Sequence, residues 1–194
     1  GLRDAPAAPI DARHQPRPGL VAGIDWGGGG VSQTVLVIGY MDARYTFHVL
    51  RFERFPASES PEAVLDAVAQ RCRQFQVRLV AADGGGSGHV FNRLLWERLQ
   101  PRPQFVAVLY SAADQEPHQE GVLWKWTVGR SGSIGTLFAR VKKRQVSFPR
   151  AADCGGFLDE FAGELAEYDD LNRTIRYTHP ATQQDDALHA TNYA

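Results

Sequence analysis

Short apolar runs alternate with polar turns in the first half of the chain. Residues 20–24 (LVAGI) form an apolar run suited to a buried strand, and this run stops at Asp25, which is followed by Trp26 and four glycines. Residues 34–40 and 45–52 are rich in β-branched and aromatic side chains and flank a polar turn at 41–44. This pattern predicts a first strand that ends in an acid, followed by an antiparallel hairpin.

The next segments alternate between helical and strand patterns. Ser60, Pro61 and Glu62 supply the N-cap, the first-turn proline and the early acid of a helix. Residues 77–82 predict another short strand, which again ends in an acid and glycines, here Asp83 and residues 84–86. A helix over 88–99 and a strand over 105–110 are predicted next. Strands joined by helical crossovers are typical of an α/β sheet.

The second half of the chain has a less regular pattern. Residues 111–121 are too hydrophilic for a core, and they form either a lid or a plain loop. Trp124 and Trp126 alternate with Lys125, which fits a strand with both indoles on one face, in the core or at an interface. Helical patterns at 134–141 and 157–168 flank a short strand at 146–148, and a closing helix is predicted within 182–194.

Size and composition predict one domain. The chain has 194 residues, 43% of them hydrophobic, which is enough for one good core. Residues 1–19 contain four prolines and no apolar periodicity, and we interpret them as a linker or disordered tail before a domain at 20–194. The formal net charge is -1, so any contact with DNA has to be local.

The cysteines and the hydropathy of the chain indicate the cellular compartment in which the protein is expected. Cys72 and Cys154 lie in unrelated contexts that match neither a zinc pattern nor a disulfide framework, so a reducing cytoplasm is the simplest setting. No apolar run reaches the roughly 18 residues that a membrane helix needs, and the chain does not begin like a signal peptide. We therefore expect a soluble intracellular protein with no membrane partner.

Three acidic positions carry the candidate chemistry: Asp25, Asp83, and the pair Asp185 and Asp186 at the start of the closing helix. Each alone has an ordinary interpretation, as a turn residue before glycines or as a first-turn helix acid. Together they indicate a site, because ligands of open α/β sheets gather at the carboxyl ends of strands. Clustered carboxylates recruit Mg²⁺ or Mn²⁺, and two such ions about 3.5–4 Å apart support phosphodiester hydrolysis.

Several motifs resemble one known family. GIDWGGGG at 23–30, the hairpin after it, AADGGGSG at 81–88 and QDDALHATNYA at 184–194 resemble the nuclease domain of tailed-phage terminase large subunits, in the RNase H-like superfamily. The resemblance covers residues 20–194. It implies an α/β fold with a mixed central sheet and helices on both faces. It also implies a metal-dependent endonuclease that cuts double-stranded concatemeric viral DNA with little sequence specificity.

The resemblance also implies site residues and partners. The catalytic acids of the family carry over to Asp25, Asp83 and Asp186, which would hold two Mg²⁺ or Mn²⁺ ions, with Asp185 as an alternative or additional ligand. The implied partners are double-stranded DNA, an N-terminal packaging ATPase domain, the small terminase subunit and the portal protein. The implied location is the host cytoplasm, transiently at the procapsid portal.

The final motif departs from the family pattern at His189, where a third acid often stands. His189 faces the same side of the predicted helix as Asp185 and Asp186, so it either assists the ions or simply bonds to a neighbouring acid. His89, just past the second glycine cluster, is interpreted as a surface or helix-start residue.

Basic residues that could contact DNA are concentrated in one stretch. They either neutralise phosphates or form a solvated helix end, where positive charge suits the helix dipole. The stretch contains Arg140, Lys142, Lys143, Arg144 and Arg150. By resemblance to the terminases, Arg130 with Ser131 is a second element on the DNA side.

Three other functions remain open at this point. An actin-like or sugar-kinase-like ATPase lobe would use Asp25, Trp26 and Gly27 as a phosphate turn, although it leaves the closing acids unexplained. Another RNase H-like nuclease, such as a resolvase or transposase core, is separated from a terminase by the resemblance alone. A non-catalytic DNA-binding module would keep the acids for structure. The chain contains no P-loop, so the packaging ATPase is not in this sequence.

Overall fold

A mixed β-sheet forms the centre of the computed structural model, which describes residues 19–28, 32–154, 156–170, 174–180 and 182–194. Within those residues, eight strands lie in the order β6-β7-β5-β4-β1-β2-β3-β8. The strands are β1 (Val21–Asp25), β2 (Thr34–Met41), β3 (Phe47–Phe55), β4 (Leu79–Asp83), β5 (Gln104–Ser111), β6 (His118–Glu120), β7 (Leu123–Gly129) and β8 (Val146–Ser147).

Strand direction follows the type of connection. β1, β2 and β3 form an antiparallel meander, whereas β1, β4, β5 and β7 run parallel to one another. β6 is antiparallel to β7, and β8 is parallel to β3. The expected mixed central sheet is therefore confirmed.

Helices cover both faces of the sheet, as expected. The helices are α1 (Pro61–Gln74), α2 (Gly88–Arg98), α3 (Arg130–Lys142), α4 (Ala151–Cys154), α5 (Phe157–Gly163) and α6 (Asp186–Tyr193). Alternate residues of β2 point to opposite faces, so Leu36 and Ile38 pack with α1 and α2, while Val35 and Val37 pack with α3 and α6. Two apolar cores thus hold the sheet between two helical layers.

One predicted helix is wrong in its second half. The apolar spacing at 157–168 predicted a single amphipathic helix, but α5 ends at Gly163, and Glu164 takes an extended conformation. The following residues form β9 (Leu165–Asp169), which pairs antiparallel with β10 (Thr174–Thr178) in a separate two-stranded sheet. The strand β9 forms because β10, further along the chain, pairs with it, and this pairing outweighs the local preference for a helix.

The tryptophans of β7 are not core residues. Trp124 and Trp126 are 48% and 46% exposed, which leaves the interface interpretation of the two indoles. The polar stretch at 111–121 is not a plain loop throughout, because its end forms the edge strand β6.

Two further predictions concern the ends of the fold. Residues 1–18 of the predicted linker lie outside the described residues, and the domain boundary at 19/20 stays a prediction. Among the described helices, none is long and apolar enough to cross a membrane.

Candidate metal centre

Asp25 and Asp83 end two neighbouring parallel strands. β1 and β4 pair in register from Val21 opposite Leu79 to Ile24 opposite Ala82, so the two acids that follow lie at the same edge of the sheet. The pKa of Asp25 is raised well above its usual value, first by burial and then by the negative charges of Asp186 and Asp83. The sheet therefore brings together acids that the sequence separates by more than a quarter of the chain.

The helix α6 reaches this edge because it crosses β1 at a glycine. A methyl group built on Gly23 would lie 1.9 Å from the carbonyl oxygen of Ala190, so only hydrogen fits at this crossing. Small residues on the helix, Ala187 and Ala190, are fully buried against the sheet. The close approach places the first turn of α6, with Asp185 and Asp186, beside the ends of β1 and β4.

Asp186 is held by the segment between β1 and β2. Its Oδ1 accepts a 2.8 Å hydrogen bond from the Ser32 hydroxyl, and its Oδ2 accepts a 3.0 Å bond from the Gln33 backbone amide. The residue is 3% exposed. After burial, its charge makes the largest contribution to the raised pKa of Asp25, so Asp186 is the member of the Asp185/Asp186 pair that faces Asp25 most directly.

Asp83 is oriented by the glycine turn after β4. Its Oδ1 accepts a 3.0 Å hydrogen bond from the Gly85 amide, and Gly88 packs tightly against its backbone carbonyl. Burial raises the pKa of Asp83, and this effect outweighs the opposite effects of the Gly85 amide and the nearby His189. These contacts fix the orientation of the Asp83 carboxylate. Its Oδ2 does not take part in the hydrogen bond from the Gly85 amide.

Glu160 is a buried acid at this edge that the sequence analysis missed. It lies on α5, where its Oε2 accepts a 2.6 Å hydrogen bond from the Ala187 amide at the start of α6, and its Oε1 pairs with Arg54. Burial raises its pKa, and its negative charge adds to that of the other acids around Asp25. Glu160 resembles any polar residue of an amphipathic helix, so the sequence carried no signal for its position.

Asp185 faces a different group of residues from Asp186. Its Oδ2 lies 2.7 Å from Nε2 of His189, 3.2 Å from Nδ1 of His179 and 3.7 Å from Nη2 of Arg130. Burial disfavours its charge, but the hydrogen bond from His189 and the neighbouring positive charges outweigh burial and hold the pKa of Asp185 below its usual value. Asp185 thus lies beside His189 and His179, while its charge also contributes to the raised pKa of Asp25.

His189 links Asp185 to β5. In addition to Asp185, its ring contacts the Tyr110 hydroxyl through Nδ1 at 3.1 Å, and this hydroxyl accepts a 2.8 Å hydrogen bond from Asn192. The imidazole therefore bonds to a neighbouring acid and is buried beside Asp83. His89 is exposed in the first turn of α2, with its Nδ1 2.7 Å from the Gly86 carbonyl oxygen.

The acids around Asp25 form an all-oxygen donor set, which suits Mg²⁺ or Mn²⁺. Among the described residues, Asp25, Asp83 and Asp186 do not bring three oxygens within 4.8 Å of one another; a different trio, Glu164, His179 and Asp185, does. Bound cations would offset the negative charges of Asp186 and Asp83, which, after burial, raise the pKa of Asp25.

The basic candidates lie at the two ends of α3. The guanidinium of Arg130, at the first residue, donates a 2.6 Å hydrogen bond to the Tyr177 carbonyl and borders Asp185. The other candidates lie about 18 Å away, given the rise of 1.5 Å per residue. They are Arg140, Lys142, Lys143 and Arg144, at and just beyond the last turn of the helix. Arg150 is exposed before α4. Arg130 therefore borders the acids, whereas the dense basic stretch does not.

The mixed eight-stranded sheet with helices on both faces is an α/β fold consistent with the RNase H-like nuclease fold. No family model matches the chain, and no curated protein does. Solved structures do match across almost its whole length. The nuclease domain of the large terminase subunit gp2 of bacterial virus Sf6 aligns with a TM-score of 0.69 at 12% identity, over 96% of this chain and 93% of that one.

Two further structures show the same likeness. The Sf6 nuclease domain in a mutant form with manganese aligns with a TM-score of 0.68 at 10% identity, over 96% of this chain and 93% of that one. The large terminase nuclease from thermophilic phage G20c with bound zinc aligns with a TM-score of 0.58 at 14% identity, over 93% of this chain and 81% of that one. The chain therefore has the fold of large terminase nuclease domains.

Proposed function

We propose that this chain is the nuclease domain of a phage large terminase subunit, which cuts double-stranded DNA with the help of two divalent cations. One observation carries the proposal: three carboxylates from β1, β4 and α6 are crowded at one sheet edge, so that the pKa of Asp25 is raised by burial, Asp186 and Asp83. Acids with a purely structural role are rarely placed so close together, because buried charges without a partner of opposite charge destabilise a fold. The terminase fold supports the same reading.

Each residue has a distinct role in this proposal. Asp25, Asp83 and Asp186 would together hold the two cations. The bound cations would supply the positive charge that activates a water molecule and stabilises the leaving 3′ oxygen. Ser32 and the Gln33 amide keep Asp186 in place, and the Gly85 amide does the same for Asp83.

The site offers few groups for reading bases. Gly28 and Gly86, in the turns after β1 and β4, are exposed and have no side chain, and the lysines at the end of α3 supply charge, which positions a duplex without reading its sequence. Cleavage by the isolated chain is therefore expected to be almost independent of sequence. In a packaging motor, the ATPase domain, the small subunit and the portal protein would determine where and when the DNA is cut.

The other functions explain fewer of the observed contacts. An ATPase lobe would use the turn after β1 but would leave the acids of α6 without a role. In a non-catalytic module, the repulsion between Asp25 and the neighbouring carboxylates would serve no function. A resolvase or transposase core would use the same acids, and preferential cleavage of branched DNA over a linear duplex would distinguish it from a terminase nuclease.

The decisive experiment measures cleavage of supercoiled plasmid by the purified chain with Mn²⁺ or Mg²⁺. Cleavage should require the cation, stop with EDTA, and disappear in Asp25→Asn and Asp83→Asn. Asp153→Asn, which changes an exposed acid on α4, is the matched control and should cleave normally. Circular dichroism and thermal melts show whether each variant is folded. Wild-type cleavage that persists in folded Asp25→Asn protein would refute the proposal.

A further inference from the structure

A second cluster of ligand-type side chains lies beside the acids of the cleavage site. Glu164 follows α5, His179 follows β10, and Asp185 precedes α6. One ligand atom from each lies within 4.8 Å of the others. These residues belong to three successive segments within residues 164–185, and the pairing of β9 with β10 brings the ends of that stretch together.

Glu164 is the unusual member of this cluster. Its side chain is 0% exposed, and neither carboxylate oxygen has a hydrogen-bond partner among the described residues. Nδ1 of His179 is also buried without a hydrogen bond, although it lies 3.5 Å from Glu164 and 3.2 Å from Asp185. Buried polar groups are almost always satisfied, so three such atoms that face one another indicate a missing partner.

Arg130 does not fill that role. Its Nη2 is 3.7 Å from both Glu164 Oε1 and Asp185 Oδ2, which is too far for a hydrogen bond. Its Nη1 is already engaged, because it donates to the Tyr177 carbonyl. A cation bound beside Glu164 and His179 would satisfy the unpaired atoms together.

The donor types indicate which cation fits. Two carboxylate oxygens and one imidazole nitrogen are the ligands of Zn²⁺ and similar transition-metal ions, whereas Mg²⁺ prefers oxygen ligands alone. The acids around Asp25 supply oxygen donors, and both ring nitrogens of His189, the imidazole beside Asp83, already contact Asp185 and Tyr110. The two clusters therefore differ in the ions that they favour, although Asp185 and Asp186 are consecutive.

We propose that Glu164, His179 and Asp185 form a second cation site, which prefers Zn²⁺ or a similar transition-metal ion and is separate from the cleavage site. A bound ion would join the end of α5, the end of the β9–β10 hairpin and the start of α6. It would fix the first turn of α6, on which Asp186 is carried. The proposal does not depend on the proposed nuclease function, because binding can be measured without DNA.

The test is isothermal titration of metal-free protein with ZnCl₂ in the Asp25→Asn/Asp83→Asn background, in which the cleavage site is disabled. One equivalent of Zn²⁺ should bind. Adding His179→Ala should weaken that binding by at least about tenfold, since the loss of even an indirect ligand contact costs 10- to 100-fold. His118→Ala, which removes an exposed histidine of β6, is the matched control and should leave the affinity unchanged.

Two further measurements keep the proposal falsifiable if a variant is less stable. Glu164→Gln preserves the shape of the side chain and should also weaken Zn²⁺ binding, and the melting temperature of the background protein should rise with Zn²⁺ but not with Mg²⁺. Zinc-edge anomalous diffraction should place the ion between Glu164 and His179. The absence of Zn²⁺ binding in the Asp25→Asn/Asp83→Asn protein, or equal affinity in folded His179→Ala and Glu164→Gln proteins, would overturn it.

Discussion

The indole Nε1 of Trp26 donates a 2.7 Å hydrogen bond to Oδ1 of Asn92, and Nδ2 of the same amide donates a 2.9 Å bond to the Asp83 carbonyl. Asn92 lies on α2 and is 0% exposed. One buried side chain therefore joins the residue after Asp25 to the backbone of Asp83. This bridge fixes the spacing between the ends of β1 and β4 without contacting either carboxylate.

Replacing Asn92 should therefore affect both stability and cleavage. Asn92→Ala leaves the Trp26 donor and the Asp83 carbonyl buried without this partner, and we expect a loss of about 2–3 kcal/mol in the free energy of unfolding. Urea denaturation measures the loss, and plasmid cleavage should fall even at temperatures where the variant is fully folded. Arg93→Ala, which removes an exposed ion pair on the same helix, should cost less than about 1 kcal/mol. Equal stability of the two variants would contradict the bridging role.

The crossing of α6 over β1 predicts a sharp difference between two glycines. Gly23→Ala would place a methyl group 1.9 Å from the Ala190 carbonyl, and backbone on both sides prevents an easy adjustment. We expect a loss of roughly 3 kcal/mol or more, as for other overpacked core positions, together with loss of cleavage. Gly28→Ala, near the other end of the same segment, meets nothing within 4 Å and serves as the control. Thermal melts in which both variants match the wild type would refute the close crossing.

The charge crowding around Asp25 predicts that the metal-free protein becomes more stable when this acid is neutralised. The folded-state pKa of Asp25 lies above the unfolded value, so ionisation of this group opposes folding as the pH rises beyond about 4. In EDTA at pH 7, Asp25→Asn should raise the free energy of unfolding by at least about 1 kcal/mol, or roughly 2–4 °C in Tm.

The pH dependence supplies the control for this prediction. At about pH 2–3, well below the unfolded-state pKa, the wild-type Asp25 is protonated in both states, so the difference between the two proteins should disappear. Saturating Mn²⁺ should reverse the order at neutral pH, because the wild type binds the ion and gains stability. A metal-free Asp25→Asn protein that is less stable than the wild type at pH 7 would show that the carboxylates do not crowd one another.

The basic end of α3 is predicted to contact DNA phosphates. Lys142→Ala combined with Lys143→Ala should weaken binding to any duplex and reduce the slope of log affinity against log salt by about 1–2, as expected when one or two phosphates are no longer neutralised. Fluorescence anisotropy at several salt concentrations measures both quantities. Arg73→Ala combined with Arg78→Ala removes the same charge from exposed positions toward the opposite end of β4. An equal loss of affinity in both double variants would show that only net charge matters.

The positions of Asp25 and Asp83 at the edge of the sheet could be predicted from the sequence better than the positions of the other residues of the site. Asp25 and Asp83 could be paired in advance, because each follows a short apolar strand and precedes glycines, and helical crossovers make such strands parallel neighbours. The direction of the two acids on α6 could not be predicted. Asp185 and Asp186 differ in orientation because of Ser32 and Gln33 on one side and His179 on the other, and these contacts are set by tertiary structure.

The positions of Glu164 and His179 could not be predicted from the sequence either, because they also depend on tertiary structure. The apolar period at 157–168 indicated a helix that would have placed Glu164 on an ordinary polar face, whereas the chain leaves the helix at that residue and enters β9. Strand pairing between Leu165 and Thr178 then returns the chain to the same place, beside His179. A short apolar segment fits the period of a helix as well as that of a strand, and the presence of a partner strand determines which of the two forms.

The hydrogen bond between Ser32 and Asp186 joins positions 154 residues apart. During synthesis at about 5–20 residues per second, β1 would wait roughly 8–30 s for the helix that supplies Asp186. Throughout that interval a nascent chain could already form the meander and the first crossovers while lacking one of its three acids. In the proposed nuclease, Asp186 therefore joins the site only after all eight strands of the central sheet have been synthesised.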